Sequence, residues 1–174
     1  MARVLTAVVF LPILFSALWL GSPIYFVILA ALAILLGLAE YYALAKCGGR
    51  VQGLLAATGI MTMFYFGRYE QAALILAALV IVELLIQLFD KRQSEDLSPA
   101  LPTIALRLFG VLYVAWLGSY IIALRVAGGE GLHLPAKLLT LFFIVVFAGD
   151  TGAYYTGRTL GKNKLAPRIS PGKT

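Results

Sequence analysis

Long apolar runs separated by short polar or glycine-rich breaks dominate the chain. The runs are about 17–24 residues long, which is the length an α-helix needs to cross a bilayer. They do not show the roughly ten-residue alternation of a membrane β-barrel. Six predicted spans follow, over residues 3–20, 23–45, 51–66, 72–89, 103–126 and 137–156. The pattern therefore predicts an all-α integral membrane protein of about six transmembrane helices.

Turn-forming residues mark the ends of these runs. Residues 21–23 read Gly-Ser-Pro, and proline is tolerated at a helix start because the first N–H groups have no intrahelical partner. Residues 47–50 and 67–70 predict two further short turns, and residues 90–102 form a markedly polar loop. The first run also fits a signal peptide, with Arg3 before the apolar stretch and small residues near its end. Its length and the span that follows at once favour a transmembrane helix.

Composition agrees with a membrane class. The 174 residues are 61% hydrophobic and 13% charged, whereas soluble domains average about 45–50% and about 25%. The single cysteine, Cys47, has no partner within the chain for a disulfide and is interpreted as a small interfacial residue.

The distribution of lysine and arginine predicts the orientation, because cytoplasmic loops carry an excess of both. With the N-terminus in the cytoplasm, eleven of the fourteen basic residues lie on the inner side. These are Arg3, Lys46, Arg50, Lys91, Arg92, Arg107, Arg158, Lys162, Lys164, Arg168 and Lys173, and the outer side holds Arg68, Arg125 and Lys137. The basic C-terminal tail is therefore predicted to face the cytoplasm, where soluble nucleotides are found.

Asp150 is a candidate functional residue within the sixth span. It follows a run over residues 138–149 whose one polar side chain is Thr140, and a carboxyl group at such a position is costly in a bilayer. Tyr154 lies one turn further along the same helix face. The structural alternative is that Asp150 is a helix-end residue that caps the tail or pairs with Arg158. A ridge of small residues that allows close helix packing consists of Gly149, Ala153 and Gly157.

Two further acids lie within predicted spans. Glu83 is inside the fourth span, with Gln87 one turn below it, and Glu40 lies near the cytoplasmic end of the second. Arg107 enters the fifth span from the same side and is a candidate partner for either acid. For both acids, a buried structural ion pair or a carboxyl kept neutral by desolvation is favoured over a functional role.

The tail combines glycines with positive charge, which suits phosphate groups. Residues 157–164 provide flexible backbone N–H groups beside Arg158, Lys162 and Lys164, and residues 168–174 repeat the pattern. Binding to anionic lipid headgroups, worth about 1 kcal/mol per basic residue, is the alternative, and composition does not separate the two. Gly172-Lys173-Thr174 is not a P-loop, because Pro167 stands where that motif requires its first glycine. His133 has no metal-ligand partner at useful spacing and is predicted to be a loop residue.

These motifs resemble a known family. Five segments near the C-terminal end resemble the central region of bacterial phosphatidate cytidylyltransferases, also called CDP-diacylglycerol synthases. They are Asp150-Thr151-Gly152-Ala153-Tyr154, Gly157-Arg158, Gly161-Lys162, Lys164-Leu165-Ala166-Pro167 and Ile169-Ser170-Pro171-Gly172-Lys173-Thr174. Ala39-Glu40-Tyr41-Tyr42 is similar to the acidic–aromatic element of that family's second helix. The tail match is ordered and specific, whereas the rest is a compatible hydropathy pattern.

The resemblance implies a Mg²⁺-dependent transfer of the cytidylyl group from CTP to phosphatidate, with release of pyrophosphate. Such a transfer needs positioning and neutralisation of phosphate charge rather than covalent protein chemistry. Carried over by position, Asp150 and Lys173 are the catalytic candidates. The substrate-binding candidates are Tyr154, Arg158, Lys162, Lys164, Ser170 and Thr174. The resemblance also implies membrane lipids and a second copy of the chain as partners, no nucleic acid, and a multi-pass protein of the bacterial inner membrane.

The resemblance covers about the N-terminal 60% of such an enzyme, and the acidic residues expected to hold the metal belong to the remainder. The expectation is therefore a transmembrane domain over residues 1–156 and a basic cytoplasmic substrate-binding segment over 157–174, inactive without that remainder. Two other interpretations stay open. One is a CTP-dependent kinase of a membrane lipid alcohol, and the other is a non-catalytic membrane protein whose basic tail binds anionic lipid.

Overall fold

A computed structural model of the chain describes residues 2–20, 22–89, 100–128, 133–161, 164 and 170, with side chains from residue 9 onward. Six helical segments follow one another along the chain. They are α1 (Ala2–Trp19), α2 (Pro23–Ala45), α3 (Arg50–Tyr65), α4 (Tyr69–Phe89), a fifth segment, and α7 (Leu134–Leu160). The fifth is continuous but changes its winding, from α5 (Ala100–Gly110) through a π-helical stretch (Val111–Trp116) to α6 (Leu117–Val126).

The all-α class is confirmed, and each of the six segments overlaps one predicted span. Four of them are long and apolar enough to cross a membrane: α2, α4, the segment from α5 to α6, and α7. Helix α3 has only 16 residues, and the described apolar part of α1 is Val9–Trp19. The count of six spans and the orientation therefore stay predictions.

The chain divides into two compact units, Met1–Ala136 and Lys137–Thr174. In the first unit, α2 and α3 pack against each other and against the fifth segment around a common apolar core. Fully buried members of this core include Leu38, Ala57, Ile60, Phe64, Val111, Ala115 and Ile122. Phe64 lies at an aromatic centre, with the rings of Tyr69, Trp116 and Tyr120 edge-on at 5.1, 5.2 and 5.0 Å. Such edge-to-face pairs add to the stabilisation that burial gives.

Many large apolar side chains point outward from this unit. Leu44, Leu55 and Leu88 are examples, each about 70% exposed or more. A soluble protein rarely shows such a surface over whole helices, whereas lipid tails cover it in a bilayer.

The turn between α2 and α3 has an unusual backbone. Lys46, Gly48 and Gly49 all have positive φ, at 51°, 67° and 66°. Lys46 ends α2 in the left-handed conformation, and its N–H donates to the Tyr42 carbonyl. Glycine populates this region without steric cost, so the Gly48-Gly49 pair allows the chain to reverse within four residues. We call Lys46–Arg50 the α2–α3 turn.

Candidate functional site

A buried ion pair lies at the end of the bundle that carries the α2–α3 turn. Arg107 Nη1 on α5 donates to Glu83 Oε2 on α4 at 2.7 Å, and the Glu83 side chain is only 1% exposed. Arg107 Nε donates to the Cys47 carbonyl oxygen at 2.8 Å. One guanidinium therefore connects α4, α5 and the α2–α3 turn, and we call this group of residues the Arg107 cluster.

The glycines of the α2–α3 turn make room for this guanidinium. A Cβ atom on Gly49 would lie 2.6 Å from Arg107 Cδ, and one on Gly48 would lie 2.9 Å from Nη2. Both distances are too short for a side chain. The two glycines thus serve the left-handed backbone and the close approach of Arg107 at the same time.

Two tyrosines join the end of α2 to α5. The Tyr41 hydroxyl donates to the Leu106 carbonyl and the Tyr42 hydroxyl to the Arg107 carbonyl, both at 2.9 Å. These carbonyls belong to the last turn of α5, just before the winding changes to π. The hydroxyls hold α2 at a fixed distance from the backbone that carries Arg107.

Burial decides which acid pairs with Arg107. The prediction of a buried ion pair is confirmed for Glu83 and wrong for Glu40, whose side chain is exposed. On α2, Leu38 and Tyr42 face the core, and Glu40 lies two residues from each, on the opposite side of the helix. Gln87, one turn below Glu83, is buried as well, and its Oε1 atom has no hydrogen-bond partner among the described residues.

A further arginine, Arg125, is buried, which the sequence did not predict. It is 8% exposed near the end of α6, and its Nη2 donates to the Leu18 carbonyl near the end of α1 at 3.2 Å. Its sequence signal was ambiguous, since an arginine near the end of a span usually extends to the interface. The sequence did not predict the bonds of Tyr41 and Tyr42 to α5, or the bond from Arg107 to the Cys47 carbonyl.

The second unit carries the Asp150 site on α7. Asp150 and Tyr154 are both exposed, one turn apart, and Arg158 Nη1 donates to the Tyr154 hydroxyl at 3.2 Å. The alternative in which Arg158 pairs with Asp150 is therefore not the arrangement seen. A Cβ atom on Gly149 or Gly152 would meet nothing within 4 Å, which leaves this stretch of α7 open around Asp150.

The tail differs from its prediction in one respect. Helix α7 continues to Leu160, and the Gly161 N–H donates to the Gly157 carbonyl, so residues 157–160 are helical rather than a flexible segment. Lys164 is exposed and Ser170 is partly buried. The other tail candidates, Lys162, Lys173 and Thr174, lie outside the described residues.

The described residues do not form a metal site. No group of three or more histidine, cysteine, aspartate or glutamate side chains suited to a metal ion occurs among them. Divalent magnesium requires several oxygen ligands, and Asp150 supplies one carboxylate. We therefore assign no step of a reaction to a metal held by these residues.

The helical architecture and its membrane-length helices define a multi-pass membrane protein. The chain belongs to the cytidylyltransferase family, whose model matches residues 1–174. It is 27% identical to the phosphatidate cytidylyltransferase of Haemophilus influenzae and 30% identical to that of Synechocystis sp., over 99% of this chain and 65% of each relative. The protein of that name from Pseudomonas aeruginosa is 28% identical over 99% of this chain and 62% of the relative.

The chain spans somewhat less than two thirds of the length of these relatives. A shorter match of higher identity, 42% over 66 residues, is to the phosphatidate cytidylyltransferase of Staphylococcus saprophyticus, and it covers 38% of this chain and 24% of the relative. No solved structure matches the chain. The family assignment confirms the resemblance drawn from the tail motifs.

Proposed function

We propose that this chain is part of an enzyme that transfers the cytidylyl group of CTP to phosphatidate, giving CDP-diacylglycerol and pyrophosphate. A phosphatidate oxygen attacks the α-phosphorus of CTP, and the bond from that phosphorus to the oxygen bridging the β-phosphorus breaks. Both electrons of the broken bond leave with pyrophosphate. The observation that carries the proposal is the family match along residues 1–174, together with relatives that bear this name.

The basic segment after Asp150 supports the assignment of the site. Arg158 and Lys164 are exposed cations near the end of α7, and the sequence adds Lys162 and Lys173. We assign Asp150 and Lys173 to catalysis and Ser170 and Thr174 to the substrate phosphates. The lipid enters sideways from the bilayer, while CTP comes from the cytoplasm. The remaining assignments to substrate binding are Tyr154, Arg158, Lys162 and Lys164.

Magnesium is part of the proposal by resemblance to the family. The described residues do not assemble a site for it, so the ion is expected to draw ligands from elsewhere in the enzyme. Removing divalent ions with EDTA should abolish CDP-diacylglycerol formation, and adding Mg²⁺ should restore it. Activity that survives EDTA would contradict this part of the proposal.

Location and assembly complete the proposal. We place the protein in the bacterial inner membrane, with the N-terminus cytoplasmic and the chain in contact with membrane lipids. Bacterial relatives and the excess of basic residues on one side support this placement. The ridge of Gly149, Ala153 and Gly157 supports a homodimer, since small residues let helices approach closely.

The test is CTP-dependent formation of CDP-diacylglycerol from phosphatidate in membranes. The 174 residues are assayed alone and joined to the C-terminal third of a relative, and only the joined protein is expected to be active. Asp150→Asn and Lys173→Gln in the joined protein should each reduce the rate by about a hundredfold or more, the usual size for a lost charge at a reacting phosphate. Thr140→Ala, on the same helix as Asp150, is the control and should keep the activity.

Product analysis separates this proposal from the alternatives. CDP-lipid with pyrophosphate supports it, whereas a phosphorylated lipid alcohol with CDP identifies a kinase. No product with any lipid phosphate, from a joined protein that folds and inserts, rejects the proposal. A non-catalytic tail that binds anionic lipid would keep its affinity for the membrane in Ser170→Ala. It would lose that affinity roughly in proportion to the number of basic residues replaced.

A further inference from the structure

The α2–α3 turn is held in place by a side chain from a distant part of the chain. Arg107 lies 60 residues from Cys47 in sequence, yet its Nε atom donates to the Cys47 carbonyl at 2.8 Å. Its Nη1 atom is bound to the buried Glu83 carboxylate at the same time. The turn therefore cannot move away from α4 unless at least one of these bonds breaks.

The turn presents positive charge at its surface. Lys46 and Arg50 flank Gly48 and Gly49, and both side chains are exposed. Arg107 is neutralised by Glu83, so the charge that the turn offers outward comes from Lys46 and Arg50. No acidic residue lies between these two cations, so an anionic group is favoured at the surface of the turn.

We propose that Arg107 is a positioning residue for the lipid substrate: it clamps the α2–α3 turn so that Lys46 and Arg50 are in place to bind the lipid's phosphate. The identity of the lipid rests on the proposed function, whereas the clamp itself does not. A phosphate monoester carries close to two negative charges near neutral pH, which matches two cations without an acidic neighbour in the turn.

Clamping matters because a flexible turn would have to be ordered by the ligand. The entropy of fixing backbone and long side chains is subtracted from the binding free energy, and a turn that is already fixed avoids that loss. Arginine suits the task because its planar fork donates in two directions at once. Lysine keeps the charge, but its donors all lie on one nitrogen, whereas Arg107 reaches Cys47 through Nε and Glu83 through Nη1.

The single cysteine of the chain reports directly on the clamp. Cys47 lies in the turn and is 9% exposed, so a maleimide reaches its thiol mainly when the turn opens. Arg107→Lys should speed alkylation of Cys47 in detergent by about tenfold or more, the factor for one lost hydrogen bond of a charged donor. Glu83→Gln should produce a smaller increase, because the Cys47 carbonyl keeps its donor.

Arg125→Lys is the matched control for this measurement. Arg125 is another arginine of the fifth segment whose side chain donates to a distant backbone carbonyl, but that carbonyl belongs to Leu18 rather than to the turn. It should leave the alkylation rate of Cys47 unchanged. The clamp is rejected if Arg107→Lys has no effect, or if both lysine variants accelerate alkylation equally through general loosening.

Ligand protection tests the second half of the proposal. Short-chain phosphatidate should slow Cys47 alkylation, because a ligand that binds the closed turn reduces its opening by the factor 1 + [L]/Kd. The corresponding diacylglycerol, which lacks the phosphate, should give no protection. Inorganic phosphate in a third arm shows whether the phosphate alone is enough.

Substitutions of the basic residues test whether protection of Cys47 by phosphatidate depends on Lys46 and Arg50. Lys46→Gln and Arg50→Gln should each raise the phosphatidate concentration for half-protection by about tenfold, whereas Arg68→Gln, an exposed cation in the next turn, should not. Arg107→Lys should raise it as well, and Arg125→Lys should not. Absence of protection by phosphatidate rejects the lipid-binding role even if the clamp holds. If protection is seen but no CDP-diacylglycerol forms, the proposed reaction fails and the positioning role stands.

Discussion

At the residue scale, positive φ and close packing impose separate demands on glycine, and this chain allows the two to be distinguished. Gly49 and Gly67 have nearly the same φ, 66° and 69°. A Cβ atom on Gly67 would meet nothing within 4 Å, whereas one on Gly49 would strike Arg107. The same substitution at the two sites therefore separates backbone strain from loss of the Arg107 contacts.

Gly49→Ala is predicted to destabilise the protein more than Gly67→Ala does. Left-handed backbone costs an alanine about 1–2 kcal/mol, and both variants carry that cost. In Gly49→Ala, Arg107 must also move away from the Cys47 carbonyl, which adds about 1–3 kcal/mol for a bond from a charged donor. Unfolding by SDS in mixed micelles measures the difference. Equal losses of stability would show that Arg107 adapts to the new methyl group without cost.

The acid that pairs with Arg107 could not be chosen from the sequence. Arg107 was predicted to pair with an acid, but the choice between Glu83 and Glu40 depended on how α2 is rotated about its axis. The sequence of a helix that is apolar on nearly all sides does not show which face points to the core, because lipid-facing and core-facing residues have the same character. The partner therefore became known only from burial: Glu83 is 1% exposed and Glu40 is exposed.

At the scale of elements, the positions of the helices were predictable and their winding was not. Apolar runs have a length set by the bilayer, so their limits appear in the sequence. The π-helical stretch Val111–Trp116 has no such signal, since π turns are rare and arise from packing. It follows Gly110 directly, at the point where the Tyr41 ring lies against the helix. The helical start of the tail, up to Leu160, was missed because glycines there predicted a loop.

Contacts between α2 and the fifth segment predict different effects for two glycine substitutions. A Cβ atom on Gly110 would lie 2.5 Å from Tyr41 Cε1, and the Tyr41 hydroxyl is bound to the Leu106 carbonyl, so the ring is not free to move. Gly110→Ala should therefore cost about 1–3 kcal/mol, as overpacking usually does. The midpoint of thermal unfolding in detergent is the measurement.

Gly37→Ala on α2 is the matched control for that prediction. Its nearest neighbour would be Val114 Cγ1 at 3.6 Å, an ordinary contact. Alanine is the better helix former by about 1 kcal/mol, so this variant should be neutral or stabilising. A loss of stability in Gly37→Ala as large as in Gly110→Ala would contradict the role assigned to the Tyr41 ring.

At the scale of the whole molecule, the family could be predicted from the ordered motifs of the tail, whereas the catalytic geometry could not. Several of the candidate residues, Lys173 among them, fall outside the described part of the chain. The chain also covers only 65% of the length of two of these relatives. A motif identifies a family because the order and type of its residues are sufficient to recognise it. A catalytic site depends on the distances between its groups, and the sequence of residues does not give those distances.

The number of membrane crossings depends on α3. Its 16 residues give a length of about 24 Å, less than the roughly 30 Å of a bilayer's hydrocarbon core. A short helix can still cross if the bilayer thins or if flanking residues extend to the interface. Arg50 at one end of α3 and Arg68 beyond the other are long side chains suited to that. If α3 crosses, the two turns next to it lie on opposite sides of the membrane.

Cysteine labelling in cells decides this question. In a Cys47→Ala background, which removes the one native thiol, Arg50→Cys and Glu70→Cys each place a single reactive group beside α3. A membrane-impermeant maleimide should label Glu70→Cys in intact spheroplasts and Arg50→Cys only after permeabilisation, because the excess of basic residues predicts that the α2–α3 turn is cytoplasmic. Labelling of both from the same side would show that α3 does not cross and that the count of six spans is wrong. The reverse pattern would keep the crossing and overturn the orientation.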